Sequence, residues 1–389
     1  MNTIHLVFFD AGGGHRSAAN ALKEVIRRQQ RPWRTQMVNL QEVLDSLDVF
    51  RKLTGVRMQD LYNTTLRRGW TLGSAQMTRA MHGVIRLYHS RQVRMLAEFW
   101  RRNPADLVVS LIPNFNRALF QGLARACPNT PLLTILTDLA DYPPHFWIER
   151  QEQYLVCGTQ RAVEQARKLG YPARRICRTS GMILHPRFYE QVDIDLGAER
   201  QKFGLDAGLP TGLVLFGGHG SSDIEDVADR IDESDLGVQL VLLCGHNAAL
   251  AARLRNREWR IPVHVEGFTR EVPHFMRISD FFIGKPGPGS ISEAIAMNLP
   301  VIVERNRWTL PQERYNATWI REQGVGLVLR SYRNIVSAVD ELLQPLNYAG
   351  FKKRVGEQHN RAVFEVPEIV QGLLAKQVCA EHEPSCPTP

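Results

Sequence analysis

Cysteine is scarce. The chain has six in 389 residues, at positions 127, 157, 177, 244, 379 and 386, and no C-x-x-C pair. That argues against a disulfide-stapled scaffold or a cysteine metal site and places the chain in a reducing cytoplasm with free thiols. Long apolar runs are absent as well: stretches such as 213–216 fall far short of the roughly 18 residues a membrane helix needs, so no segment is expected to span a bilayer. No basic leader precedes the apolar residues that begin at Ile4, so no secretory signal is expected. No low-complexity tract interrupts the chain, and 44% hydrophobic with 23% charged residues is a globular composition rather than a disordered one. None of the glycine-rich turns has the dinucleotide spacing G-x-G-x-x-G or closes on Gly-Lys-Ser/Thr, which disfavours a P-loop ATPase. A D-x-D spacing of the kind that can hold a divalent metal occurs at Asp193-Ile194-Asp195, in a polar segment.

What is present is a strict alternation. Short β-branched runs at 4–9, 35–39, 107–111, 132–137, 153–157 and 176–179, then at 213–216, 238–244, 263–266, 281–283, 300–303 and 326–329, are separated by helical patterns such as 16–29, 117–125, 161–169, 224–232, 248–256, 291–297 and 312–323. Strands alternating with helices predict parallel sheets covered on both faces, an α/β fold. The alternation lapses over 186–210 and then restarts, which predicts two doubly wound domains, 1–185 and 211–358, joined by a linker. A helix over 359–376 is expected to pack back on the first domain, with a flexible tail at 377–389. Ligands of such sheets bind beyond the carboxyl ends of the strands, so the turns after Phe9, Phe216 and Ile283 are the first candidates.

The net charge of +8 is local. Residues 51–102 hold eleven Lys or Arg against Asp60 and Glu98, a balance of +9, and the other 37 basic and 38 acidic residues leave −1. The same stretch carries Met58, Met77, Met81, Met95, Tyr62, Trp70, Tyr88, Phe99 and Trp100 and reads as helix. Three readings are open: a helical pair packed on the core with solvated arginines, an anionic membrane surface, at about 1 kcal/mol for each nearby basic side chain, or a nucleic-acid patch. Absence of any RNA-binding motif argues against the third.

Three turns carry chemistry. In Phe9-Asp10-Ala11-Gly12-Gly13-Gly14-His15-Arg16 the glycines let a ligand approach the backbone of a helix N-terminus, and His15 either accepts a proton or merely caps and packs. Phe216-Gly217-Gly218-His219-Gly220-Ser221-Ser222 can cradle a phosphate, with either serine capping the next helix. Gly284-Lys285-Pro286-Gly287-Pro288-Gly289-Ser290-Ile291-Ser292-Glu293 aims a lysine, a serine cap and a positive helix end at an anion such as a diphosphate. Glu293, read in the first turn of that helix, is either a capping partner or a carboxylate for ribose hydroxyls.

Taken in order, Gly12-Gly13-Gly14-His15, Gly217-Gly218-His219-Gly220, Lys285-x-Gly-Pro-Gly-Ser-x-x-Glu293 and Pro311-Gln312-Glu313-x-x-Asn316, with Thr137-Asp138-Leu139-Ala140-Asp141, resemble the GT-B glycosyltransferases. Nearest in pattern are the monogalactosyldiacylglycerol synthases and bacterial diacylglycerol glucosyltransferases (family 28-like). The resemblance covers roughly 4–372. It implies two Rossmann-like domains facing a cleft, an acceptor and membrane side in 1–185 and a UDP-sugar side in 211–358. His15 would be the base or an acceptor-site group, with Asp10, Asp138 and Asp141 as its orienters or rivals. Gly13 and Gly14 would shape the turn near the donor phosphates and Gly218 and Gly220 the diphosphate loop, with Lys285, Gly287, Gly289 and Ser290 on the diphosphate. Phe268 would lie at the uracil, Glu293 at the ribose, and Gln312 and Glu313 at the sugar hydroxyls. The implied function is inverting transfer of a hexose from a UDP-sugar to a lipid, diacylglycerol first, without metal or cofactor. Residues 51–102 would then rest on the anionic inner face of the cell membrane, with no nucleic-acid partner. The alternative is a UDP-N-acetylglucosamine-dependent transferase or a UDP-sugar epimerase acting on another substrate. Gly181-Met182-Ile183-Leu184 and Leu310-Pro311 depart from the family's usual residues at the interdomain strand end and before the glutamine.

Overall fold

The structure, a computed structural model, describes residues 1–10, 14–44 and 87–376. Gly13 and the basic residues between 51 and 86 lie outside them. The chain forms two compact units, the first ending at Pro186 and regaining the chain from Asn360, the second running over Arg187–His359.

In the first unit, strands β1 (Asn2–Phe8), β2 (Trp33–Asn39), β3 (Leu107–Ser110), β4 (Leu132–Ile135), β5 (Tyr154–Cys157) and β6 (Ile176–Arg178) form one parallel sheet in the order β2-β1-β3-β4-β5-β6. In the second, β7 (Thr211–Leu215), β8 (Gln239–Leu243), β9 (Val263–Glu266), β10 (Phe281–Gly284), β11 (Val301–Glu304) and β12 (Gly326–Leu329) run in parallel in the order β12-β11-β10-β7-β8-β9. Each of the twelve strands lies within two residues of the run that predicted it. The central strands are buried on both faces: every residue of β3, β7, β8 and β10 is buried, as parallel strands under helices require. The order of the second sheet is that of the dinucleotide-binding fold, whose direction reverses between β7 and β10, and that of the first reverses between β1 and β3.

Helix α1 (Gly14–Arg28) follows β1 and buries Ala18, Ala19, Ala21, Leu22, Val25 and Ile26 at helical spacing. Helix α2 (Leu40–Leu44) follows β2, and α3 (His89–Arg102) buries Val93, Leu96, Ala97 and Trp100 while leaving Arg91, Arg94, Arg101 and Arg102 exposed. The described part of the basic stretch is thus amphipathic, core-packed on one face and cationic on the other. No helix among the described residues is long and apolar enough to cross a membrane. Residues 186–210, read as a linker, carry a helix at Leu196–Lys202, started by the Asp195 side chain accepting from the Ala198 amide. Its Arg200 is buried and paired with Asp280 at 2.7 Å within the second unit. The helix Ala362–Leu374 belongs to the first unit, where Glu365 accepts from the Ser180 amide (2.8 Å) and hydroxyl (2.5 Å). Cys127, Cys157 and Cys244 are free thiols. Cys177 departs from the expectation of free thiols and is disulfide-bonded.

Candidate functional site

At the reversal point of the first sheet, α1 begins at Gly14, which puts His15 in its first turn beyond the carboxyl ends of β1 and β3. The His15 ring shares a 3.1 Å hydrogen bond through Nδ1 with Thr137 Oγ1 and lies 5.9 Å from the Trp147 ring. Desolvation pushes its pKa from 6.5 down to about 4, with the Leu111 carbonyl opposing. At neutral pH the imidazole is therefore uncharged and has a lone pair to offer. The competing carboxylates are committed to the loop beside it. Asp138 Oδ2 accepts from the Trp147 indole at 2.8 Å, and the two oxygens of buried Asp141 accept from the His145 and Trp147 amides at 3.0 and 2.6 Å. Burial raises the Asp141 pKa against those bonds. Asp10 pairs with Arg16 at 3.1 Å. No described atom lies within 4 Å of a Cβ placed on Gly14.

The same unit carries a cationic hollow. Arg91, Arg94 and Arg101 of α3 and Arg125 of the helix Asn116–Ala126 line a cavity of about 470 Å³, together with Leu87 and Tyr88. None of the four arginines forms an ion pair among the described residues. Glu98 of α3 is occupied by Arg102 at 2.5 Å.

In the second unit, the turns after β7 and β10 flank the reversal point. Gly220 holds φ +66, and a Cβ there would sit 2.1 Å from the Cys244 carbonyl, so only glycine fits. After β10, the carbonyls of the turn are tied back. Gly284 O accepts from Tyr332 Oη (2.6 Å), Lys285 O from the Gly287 amide (2.8 Å) and Pro286 O from Asn316 Nδ2 (2.8 Å). The helix Pro288–Ala296 starts there, its first-turn amides unpaired by the helix itself and carrying the positive end of its dipole. The cap residue is Gly287, whereas the sequence suggested a serine; Ser290, in the first turn, donates to Gly287 O at 3.3 Å. Lys285 Nζ lies 3.1 Å from Glu313 Oε1, and its Cε is 3.4 Å from where a Gly217 Cβ would be. Lys285, Gly217, Gly287 and Glu313 therefore form one cluster. No described atom lies within 4 Å of a Cβ placed on Gly218 or Gly289, which leaves room for a ligand.

Glu293 stands in the second turn of this helix rather than the first, since the helix begins at Pro288. It is only partly exposed, has no hydrogen-bond or ionic partner among the described residues, and burial raises its pKa to about 7. A carboxyl held out of water with nothing to bind is poised for a ligand's hydroxyl donors. Glu313 is buried and Gln312 half-buried at the start of the helix Arg314–Gln323. Phe268, after β9, is 58% exposed and stacks on His246 with ring centres 3.9 Å apart.

Residues 213–369 match the glycosyltransferase family 28 C-terminal domain. The chain is a GT-B glycosyltransferase. Its relatives include the probable monogalactosyldiacylglycerol synthase 2, chloroplastic, of Oryza sativa subsp. indica, 27% identical over 86% of this chain and 72% of that protein. Among solved structures, MurG of Acinetobacter baumannii superposes with a TM-score of 0.61 at 11% identity, covering 95% of this chain and 99% of that one. The UDP-GlcNAc 2-epimerase of Neisseria meningitidis bound to UDP-GlcNAc does so at 0.60 and 14%, covering 97% and 100%. At such identities the structural likeness speaks for the fold alone.

Each unit of this glycosyltransferase gathers its own set of sequence-derived residues. The second brings Gly218, Gly220, Lys285, Gly287, Gly289, Ser290, Glu293, Glu313 and Gln312 to the loops of one sheet's carboxyl end. The first brings His15 beside Thr137 but gives Asp138 to Trp147. Reasoning on residues missed Trp147, Tyr332 and His246. The last had a usable signal, a glycine directly after an apolar strand at Cys244-Gly245-His246, the pattern that singled out the other turns.

Proposed function

We propose that this glycosyltransferase moves a hexose, with inversion, from a UDP-sugar to a lipid acceptor, diacylglycerol first, on the inner face of the cell membrane. The observation that carries the reading is the reversal point of the second sheet, where a positive helix end, Lys285 and a partnerless Glu293 meet around open glycine turns. That set suits a nucleoside diphosphate: main-chain amides and Lys285 for the diphosphate, Glu293 for the ribose hydroxyls, Phe268 for the base, and Gln312 with Glu313 for the sugar.

The chemistry divides between the two sets. The acceptor hydroxyl loses its proton to His15 as its oxygen bonds to the anomeric carbon. The bond from that carbon to the diphosphate oxygen breaks, and its electron pair leaves on UDP. Neutral His15, oriented by Thr137, can take the proton, and the amides with Lys285 stabilise the charge growing on the leaving group. The commitment of Asp138 and Asp141 to Trp147 and His145 favours His15 over either carboxylate as the base. The cationic hollow of Arg91, Arg94, Arg101 and Arg125 supports an anionic lipid surface as the place of work.

Transfer is favoured over epimerisation by the family 28 domain and by synthase relatives matched over most of the chain; the epimerase likeness is one of fold. Lipid extraction from a host expressing the chain, with mass spectrometry, tests the proposal. A new hexosyl lipid that is lost with His15→Ala is expected. Unchanged lipids beside UDP-sugar turnover on a water-soluble substrate would overturn the lipid assignment.

A further inference from the structure

The turn after β8, Cys244-Gly245-His246-Asn247, has no role in the reading above, yet it is locked to both ends of the donor-side set. Its main chain grips the loop after β7: the His246 amide donates to the Gly218 carbonyl at 2.9 Å. Gly245, at φ +55, approaches so closely that a Cβ would sit 2.3 Å from that same carbonyl. From the other side, Gly220 presses on the Cys244 carbonyl, and its missing Cβ would lie 2.9 Å from the Asn247 Cβ. Asn247 then caps the helix Ala248–Arg255 by accepting from the Leu250 amide at 3.1 Å, which anchors the turn to a rigid element. The exposed His246 ring lies flat on Phe268, 3.9 Å between centres and 16° between planes, and 6.3 Å from the His219 ring. The segment leading to Phe268 is tied down: the Gly267 amide donates to Glu266 Oε1 at 2.8 Å and the Arg255 guanidinium donates to Val265 O at 3.0 Å.

We propose that His246 is a positioning residue of the donor site: its amide sets the diphosphate loop and its ring sets Phe268, so that one residue holds nucleobase and diphosphate recognition in register. This rests on the UDP-sugar reading above. An exposed phenylalanine with no neighbour samples several rotamers, and a flat partner on one face leaves the other face presented to a planar base. The two functions separate by substitution, because the amide survives any side-chain change at 246 and the stack does not.

Calorimetric titration with UDP and with inorganic pyrophosphate tests this on the full chain, alongside steady-state kinetics and melting temperature. His246→Ala should weaken UDP binding about three- to tenfold, the worth of one aromatic pair. It should raise the KM for the sugar donor with kcat within about twofold, and leave pyrophosphate binding unchanged. His246→Phe should restore UDP affinity. Gly245→Ala, which pushes on the Gly218 carbonyl, should weaken UDP and pyrophosphate alike; if it does not fold, the His246 pair carries the test. UDP binding by His246→Ala equal to the parent, or failure of His246→Phe to rescue a weakened His246→Ala, overturns the inference and leaves the UDP-sugar reading standing. A parent chain that binds pyrophosphate but shows no preference for UDP over ADP or GDP overturns both.

Discussion

Replacing Glu293 by glutamine separates what the residue does for stability from what it does for binding. Its carboxyl titrates near 7 in the folded chain because burial penalises the charge, and near its ordinary 4.5 when unfolded. Between those values the folded state holds more protons than the unfolded one, so stability falls as pH rises from 4.5 to 7, and the whole penalty is present above 7. A displacement from 4.5 to about 7 corresponds to about 3 kcal/mol. Glu293→Gln keeps the shape and removes the charge, so it should be more stable than the parent by about 3 kcal/mol at pH 8 but only about 1 kcal/mol at pH 5. For a unit of this size that is roughly 6–12 °C in Tm at pH 8, read in paired thermal melts. The same variant should lose roughly 1–3 kcal/mol of UDP affinity by calorimetry, because the neutral amide cannot make charge-assisted bonds to hydroxyls. A stability gain that does not grow between pH 5 and pH 8, or a variant less stable than its parent at pH 8, would refute the desolvated carboxylate. Unchanged UDP affinity would remove the ribose role.

His15, with its pKa near 4, should give kcat/KM an acidic limb near pH 4 rather than 6.5, and His15→Ala should cost about 10²–10⁴ in kcat with UDP affinity unchanged; half of parental turnover in a folded variant would shift the base elsewhere. Asp141→Ala strands the His145 and Trp147 amides, so urea unfolding should show a loss of about 2–5 kcal/mol, and a loss under 1 kcal/mol would contradict its anchoring role. Reversing Arg91, Arg94, Arg101 and Arg125 to Glu should release the protein from anionic liposomes, as should 1 M salt, where the Debye length is about 3 Å; equal binding to neutral vesicles would count against the lipid surface. Turnover should persist in EDTA if the helix end and Lys285 carry the leaving-group charge, and its loss with recovery in Mg²⁺ or Mn²⁺ would show that they do not.

The central strands could be read from the sequence because a strand buried on both faces must be a short continuous apolar run, and that is a local property, while β2, β6, β9 and β12, only partly buried, were read from the alternation with helices. The glycine turns were readable for a similar reason: a chain that turns sharply from strand into helix near a ligand needs residues without a Cβ. What local pattern could not supply was adjacency. The turns after β7 and β10 share a site because β10 pairs with β7 directly, Phe281 opposite Gly212, although some 70 residues separate them in the chain. Burial was likewise a tertiary matter. Glu293 looked like a first-turn carboxylate, and only the start of its helix at Pro288 and the packing around it made it desolvated and partnerless. Asp138 was expected, with Asp10 and Asp141, as an orienter or rival of His15, but the fold of the following loop gave Asp138 to the Trp147 indole and left the neighbouring Thr137 to the imidazole. His246 passed unnoticed because its contacts, Gly218 and Phe268, come from the strands on either side of β8, and strand order is set by how buried sheets pack rather than by any neighbour along the chain.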